Sequence, residues 1–259
     1  LMCICYRKPY GLYIRGEQGI NSRLSIKIFK KAKIIFTVSP KFTHNILSCN
    51  DNTNTIRPMI SFSESDIVTK KNIKFNKIVN LLYVGRLVFD KGLFELLDAV
   101  KKMKDQKYKV HLNLVGSGSD YKKLEIRVKN LNLQNEVTFS GMISDKTELI
   151  EVYKMSDIFV LPTYHEGFPR VLYEAMIMSI PIVTTFVGSV NYLMKKDINC
   201  LEIKVKDIDS IVRALKTLID NPNFANDLTK QARKTIINYL ADKKIKHADH
   251  LDLFIRENL

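Results

Sequence analysis

Residues 156–177, SDIFVLPTYHEGFPRVLYEAMI, decide the fold class of this chain. Ile158 to Leu161 form a short apolar run that ends at a turn, which is typical of a strand buried on both faces of a parallel sheet. Pro169 suits the first position of a helix, so we expect a helix to follow the turn. A strand, a loop and a helix in this order make up the repeating unit of parallel α/β proteins.

The same alternation of strands and helices extends along the chain on both sides of this unit. Short β-branched runs alternate with amphipathic stretches, such as the one that places Leu93, Leu96 and Leu97 on one helical face. Residues 77–221 are therefore predicted to form one complete doubly wound, Rossmann-like domain. Its predicted strands are 78–84, 110–115, 137–139, 158–161, 181–184 and 200–203, and its predicted helices are 92–104, one ending at 131, 145–155, one opened by Pro169, and 207–220.

The flanking segments have a different pattern. Residues 1–60 read as about half of a second Rossmann-like domain, whose sheet would have an exposed edge and an unfilled core. We therefore expect the first part of that domain to be missing from a chain that begins with Leu rather than Met. Residues 61–76 are polar and are predicted to be a linker, and residues 222–259 are predicted to form two helical segments. The predicted strands of the first segment are 11–14, 34–38 and 55–59, and its helices are 22–33 and 42–47.

Composition indicates a globular protein in a reducing compartment. The chain has 259 residues, 46% of them hydrophobic and 26% charged. It contains no apolar run of about 18 residues that would suggest a membrane-spanning helix, and its N-terminus lacks the apolar core of a signal peptide. Its four cysteines are scattered, so a disulfide framework is not expected and a cytoplasmic location is predicted.

The formal net charge of +14 indicates either a lysine-rich solvated surface or attraction to anions. Nucleotide phosphates and anionic lipid headgroups are the anions considered, and nucleic acid is not expected because no nucleic-acid-binding motif accompanies the charge. The stretch from Ser22 to Lys33 predicts a basic amphipathic helix. Such a helix either lies on an anionic membrane or packs its apolar face into a domain core.

Two glutamates, Glu166 and Glu174, flank the turn at which the predicted helix begins. The turn follows a strand end, and ligands of open α/β sheets bind at the carboxyl ends of the strands. The first N–H groups of a helix have no partner within the helix and can hold an anion or hydroxyl groups, while carboxylates accept hydrogen bonds from hydroxyls. We interpret this segment as a binding site for a hydroxyl-rich anion.

Two cations, Arg86 and Lys91, flank another turn between a strand and a helix. Arg offers a planar fork for two oxygens and Lys a point charge, so together they would neutralise a diphosphate.

A glycosidase mechanism in which Glu166 and Glu174 act as the catalytic pair fits less well. Retaining glycosidases hold their two carboxyl groups about 5–5.5 Å apart, whereas eight residues of helix separate Cα atoms by about 12 Å.

Three weaker signals have simpler explanations. The Gly116-Ser-Gly118 stretch lacks the third glycine of a dinucleotide-binding motif. Asp207-Ile-Asp209 has the form of a metal-binding motif, but its position predicts an N-terminal helix cap. His165 precedes Glu166 and is considered as a residue that lines the site.

Several stretches, in this order, resemble glycosyltransferase family 4, whose members are retaining enzymes with two Rossmann-like domains in the GT-B fold. The resemblance covers residues 77–221 and extends to 29–46. It implies that a sugar is transferred from a nucleotide donor with retention of configuration and without a metal or other cofactor. The matching stretches are Val84-Gly85-Arg86, Lys91-Gly92, Val115 to Gly118, Phe139-Ser140-Gly141, Ser156 to Thr163 and Glu166 to Glu174.

The resemblance also implies a role for each matching residue. Arg86 and Lys91 would grip the donor diphosphate, and Glu166 would bind sugar hydroxyls; these three form the expected catalytic set. Glu174 would hold the ribose hydroxyls. The remaining expected substrate-binding residues are Gly85, Leu172, the turn residues Gly167, Phe168 and Pro169, and Met142 and Ile143 near the base.

The resemblance implies three partners: a UDP- or GDP-sugar donor, a glycan or lipid-linked acceptor, and an anionic membrane surface. It also implies a peripheral position on the cytoplasmic face of the plasma membrane. Two alternatives stay open at this stage. One is a non-catalytic nucleotide-sugar-binding module that needs a partner to supply the missing half. The other is a different GT-B enzyme, such as a nucleotide-sugar epimerase.

Overall fold

The chain divides into two compact units. Unit 1 comprises Leu1–Met59, Glu166–Pro169 and Asp242–Leu259, and unit 2 comprises Ile60–His165 and Arg170–Ala241. The structure is a computed structural model that describes residues 9–14, 19–38, 40–55, 60–69, 73–75, 77–167, 169–241, 252 and 256.

Unit 1 contains a parallel three-stranded sheet in the order β1-β2-β3. Two helices connect the strands, so the predicted alternation of strand and helix is confirmed here. The third strand lies slightly earlier than the predicted 55–59, and residues 56–59 lie outside the described residues. The elements are β1 (Gly11–Ile14), α1 (Arg23–Lys31), β2 (Ile34–Thr37), α2 (Pro40–Leu47) and β3 (Thr53–Thr55).

The helix α1 packs its apolar side into the core of unit 1. The Ser22 hydroxyl caps the helix by accepting a hydrogen bond from the Ser25 N–H at 3.0 Å. Phe29 is buried in a cluster with Ile35 and Ile46. The apolar side is thus occupied by protein, which favours the second of the two predicted uses of this basic helix.

Unit 2 contains a parallel six-stranded sheet in the order β6-β5-β4-β7-β8-β9. The central strands are buried on both faces because helices cover both sides of a doubly wound sheet; Leu81 and Leu82 in β4 are both fully buried. Each predicted strand is present, with ends shifted by at most two residues. The strands are β4 (Val79–Val84), β5 (Val110–Val115), β6 (Val137–Gly141), β7 (Ile158–Leu161), β8 (Ile182–Thr185) and β9 (Leu201–Ile203).

The helices of unit 2 begin where side-chain caps or glycine allow. Asp145 accepts from the Glu148 N–H at 2.8 Å, and Asp207 accepts from the Ser210 N–H at 2.9 Å. Asp207 is therefore the helix cap that its position predicted. The helices are α3 (Leu93–Asp105), α4 (Tyr121–Asn130), α5 (Lys146–Lys154), α6 (Arg170–Ile177), α7 (Val190–Leu193), α8 (Ile208–Asp220) and α9 (Pro222–Ala241).

One segment differs from the sequence-based expectation. In the stretch expected to be a linker, Phe62 is buried against Tyr153, and the Val68 N–H donates to the Ile177 carbonyl at 2.9 Å. The stretch therefore packs within unit 2, because its aromatic side chain contacts Tyr153 and its backbone is hydrogen-bonded to Ile177. After Pro222 the helix α9 corresponds to the first of the two expected helical segments, and the second falls mostly outside the described residues. Within the part of the chain that the structure describes, no helix is long and apolar enough to cross a bilayer.

Candidate functional site

The strand order of unit 2 reverses direction at β4. The chain proceeds from β4 to β5 and β6 on one side, and then returns to place β7 on the other side of β4. The loops that leave β4 and β7 therefore diverge at their carboxyl ends and open a crevice, where doubly wound folds bind ligands. The loop after β4 carries Arg86 and Lys91, and it leaves the sheet at the edge where the sequence predicts a site.

Lys91 is held between the two loops. It is only 7% exposed, and its Nζ donates to the Thr163 hydroxyl at 3.3 Å and to the His165 carbonyl oxygen at 3.4 Å. The His165 carbonyl carbon forms the peptide bond to Glu166. Both contacts are with oxygen atoms of the loop after β7, so the Lys91 amine is held in place and is not a solvated surface group.

The two loops are joined through their backbones as well. The Tyr164 N–H donates to the Asp90 carbonyl oxygen at 2.8 Å. Gly92 has a left-handed φ of 68°, and a Cβ added there would lie 2.1 Å from the Pro162 carbonyl oxygen. Only glycine allows both the dihedral angle and this close approach, so the loop after β4 fits directly against the loop after β7.

Arg86 occupies the start of the loop after β4. Its side chain is exposed, and its carbonyl oxygen accepts a hydrogen bond from the Tyr83 hydroxyl at 2.7 Å. Gly85 before it donates its N–H to the Val115 carbonyl oxygen at 2.9 Å, which ties this turn to the neighbouring strand. The backbone of the turn is thus fixed while the guanidinium group faces solvent.

Glu174 lies on α6 and is buried, with 6% of its surface exposed. The Tyr153 hydroxyl donates to its Oε2 at 3.0 Å. Burial raises the pKa of the Glu174 carboxyl above its ordinary value, while the Tyr153 hydrogen bond and the charge of Arg170 act in the opposite direction. The Glu174 carboxyl is therefore held by Tyr153 in a low-dielectric environment, where hydrogen bonds are strong.

The turn before α6, Glu166–Pro169, belongs to unit 1. Glu166 and Gly167 are half-buried and Pro169 is buried, while Phe168 lies outside the described residues. The convergence of Glu166 with Arg86 and Lys91 on one pocket stays a prediction. His165 is exposed, and its backbone carbonyl oxygen accepts the hydrogen bond from Lys91 Nζ.

The remaining predicted residues lie at different depths in unit 2. Met142 is 72% exposed in the loop after β6, with Ile143 half-buried beside it. This loop is at the same carboxyl edge of the sheet, two strands from β4. Leu172 is 1% exposed and packs in the core.

Two residues of this site were not singled out from the sequence. Thr163 is a buried hydroxyl directly after a strand end, and that position is the signal that could have identified it. Tyr153 falls on the inner side of a helix, where an aromatic residue predicts core packing. Its hydroxyl contact with Glu174 depends on the packing of α5 against α6 and has no local sequence signal.

The chain is similar in sequence to known glycosyltransferases. The chain is 26% identical over 239 residues to the uncharacterized glycosyltransferase MJ1607 of Methanocaldococcus jannaschii, covering 87% of this chain and 60% of that protein. It is 28% identical over 241 residues to the putative teichuronic acid biosynthesis glycosyltransferase TuaC of Bacillus subtilis, covering 85% of this chain and 58% of that protein. The chain thus spans somewhat less than two thirds of the length of these relatives.

A solved structure shows the same fold. The crystal structure of Anabaena Alr3699/HepE in complex with UDP and glucose matches 99% of this chain and 73% of that chain, with a TM-score of 0.76 at 18% sequence identity. The α/β fold with parallel sheets is of the GT-B type, as the resemblance implied. The family model for glycosyl transferases group 1 matches residues 65–235, more than half of the chain, so the chain belongs to the glycosyl transferases group 1 family.

Proposed function

We propose that this chain carries the donor-binding part of a retaining glycosyltransferase that uses a UDP- or GDP-sugar. The observation that carries the proposal is the buried Lys91 Nζ, fixed between two loops at the point where the strand order reverses. A fixed cation at this rim suits a phosphate group better than a neutral ligand. The bound UDP and glucose of the HepE structure are consistent with such a donor.

The chemistry follows from where charge develops during transfer. Cleavage of the bond between the anomeric carbon and a phosphate oxygen leaves negative charge on the diphosphate, while the sugar becomes oxocarbenium-like. Lys91 and Arg86 would stabilise the departing diphosphate, because cations fixed in place before reaction need no reorganisation when the charge appears. We expect this step to need no metal, because Lys91 and Arg86 supply positive charge where the leaving group gains negative charge.

The two glutamates would orient the donor. Glu166 would accept hydrogen bonds from sugar hydroxyls, with the N–H groups of the turn at Gly167 beside it, and Glu174 would accept from the ribose hydroxyls. Met142 and Ile143, in the loop after β6, would lie near the base. The acceptor would be a glycan or lipid-linked glycan, in keeping with the teichuronic acid biosynthesis named for TuaC.

Turnover tests this proposal directly. The purified chain, given UDP-glucose and a panel of glycan and lipid-linked acceptors, should release free UDP and form a product that retains the donor's anomeric configuration by NMR. Glu166→Gln should lower kcat by about a hundredfold while UDP affinity changes less than about twofold, because this side chain is expected to touch the sugar and not the nucleotide. Binding of UDP without turnover on any acceptor would instead indicate a non-catalytic binding module.

A peripheral position on the cytoplasmic face of an anionic membrane belongs to the same proposal. The exposed side of α1 carries Arg23, Lys27, Lys30 and Lys31, and α1 contains no acidic residue. Leu24 on the same side is 57% exposed. Basic side chains near an anionic bilayer contribute about 1 kcal/mol each, so this surface suits anionic headgroups although the apolar side of the helix is used in the core.

Vesicle binding tests the membrane surface. Lys27→Glu with Lys31→Glu should weaken binding to phosphatidylcholine vesicles containing phosphatidylglycerol by at least about tenfold, because two cations become anions. The double variant Lys122→Glu with Lys129→Glu, on exposed positions of α4, has the same net charge and serves as the control. Equal weakening by both double variants would show that net charge, and not α1, determines binding.

A further inference from the structure

A fully buried tyrosine contacts the buried carboxylate of Glu174. Tyr153 is 0% exposed, and its hydroxyl lies 3.0 Å from Glu174 Oε2. Its ring is fixed by an edge contact with Phe62, at 5.7 Å between ring centroids, and by stacking on Phe159 at 5.9 Å. Among the described residues Tyr153 is the one hydrogen-bond donor to this carboxylate. The hydroxyl is therefore placed by rigid packing and not by a flexible side chain.

We propose that Tyr153 is the positioning residue for Glu174, and that its hydroxyl fixes one carboxylate oxygen so that the carboxylate presents itself to the ribose hydroxyls of the donor nucleotide. This inference rests on the proposed function, in which Glu174 binds ribose. Tyr153 does not touch the ligand itself. It acts by setting the rotamer and the protonation state of the group that does.

The protonation state matters because only an ionised carboxylate can accept from both ribose hydroxyls with both of its oxygens. Burial raises the pKa of Glu174, and two groups in the described residues oppose that rise: the Tyr153 hydroxyl on α5 and the Arg170 cation one turn earlier on α6. Removing the hydroxyl takes away one of these and raises the pKa further. UDP affinity, which is lost as pH falls through this pKa, should then begin to fall at a higher pH.

Tyr153→Phe is the informative variant, because it keeps the ring packing and removes only the hydroxyl. We expect it to weaken UDP binding by about tenfold near neutral pH, the effect of one hydrogen bond to a charged group. Binding of 2′,3′-dideoxy-UDP, which lacks both hydroxyls, should change less than about twofold. Tyr108→Phe is the matched control, since it removes an exposed tyrosine–carboxylate hydrogen bond to Asp220.

The pH dependence of UDP affinity distinguishes this role from a purely structural one, because a structural role would leave that dependence unchanged. The ratio of wild-type to Tyr153→Phe affinity for UDP, measured from pH 5 to 8 so that the titration of UDP itself cancels, should change with pH. Thermal unfolding of both proteins checks that the variant is folded.

Failure of the positioning role of Tyr153 can be distinguished from failure of the proposed donor-binding function. If Glu174→Gln weakens UDP binding and Tyr153→Phe does not, or if Tyr153→Phe weakens UDP and dideoxy-UDP equally, the positioning role is wrong and the donor site stands. If wild type binds no UDP, the proposed function fails and the inference fails with it.

Discussion

Lys91→Ala will lower the affinity of the chain for UDP by about a hundredfold. The side chain is buried and held by oxygen atoms of the loop after β7, and removing one partner of a buried charge pair costs about 2–5 kcal/mol. Arg86→Ala should lower the affinity as well, by a smaller factor, because the Arg86 side chain is exposed and its charge is better screened. Isothermal titration calorimetry with UDP and with uridine gives both values.

The measurement with uridine shows whether the lost affinity comes from the phosphates or from the nucleoside. Both variants should bind uridine, which has no phosphate, about as well as wild type does. Lys101→Ala is the control, since this lysine lies on α3 and pairs with Asp105 in solvent-accessible surroundings. Unchanged UDP affinity in both Arg86→Ala and Lys91→Ala would remove the donor-site assignment.

Gly92→Ala will destabilise unit 2 by about 4 kcal/mol or more. The new Cβ would lie 2.1 Å from the Pro162 carbonyl oxygen, so backbone must move, and the residue would also be held at a left-handed φ of 68°. Gly141 offers a matched comparison, because its φ is 70° and an added Cβ there meets nothing within 4 Å. Gly141→Ala should cost only the dihedral strain, about 1 kcal/mol.

The difference between the two alanine variants therefore measures the backbone contact alone. Urea denaturation followed by circular dichroism supplies the two free energies of unfolding. Equal losses in both variants would mean that the loops after β4 and β7 are free to separate, and the fixed position of Lys91 would no longer follow from the structure.

The sheet of unit 2 was predictable because its strands carry the signal locally. Ile158–Leu161 is a short apolar run before a turn, and such a run has few alternatives to a buried strand. The caps at Asp145 and Asp207 were predictable for the same reason, since a carboxylate two or three residues before free N–H groups is a local arrangement. The edge of the sheet at which a ligand is expected follows from topology once the strands are placed.

Other features depend on contacts between distant parts of the chain. Phe62 looks like an isolated aromatic residue in a polar stretch, and only the packing of α5 places Tyr153 beside it. The burial of Lys91 depends on Thr163 and His165, more than 70 residues later. No periodicity or motif of the intervening sequence encodes these approaches, because the side chains meet only after the whole sheet has formed.

The loop after β6 is a suitable segment for engineering by replacement of its residues. Met142 stands at the edge of the sheet, two strands away from the loop that carries Lys91, and the Gly141 turn before it has open space around it. We therefore expect residues 142–144 to accept replacement by the corresponding segments of other group 1 proteins. In the proposed function Met142 and Ile143 lie near the base, so this exchange is expected to alter the preference between uracil and guanine without altering the contacts of Lys91.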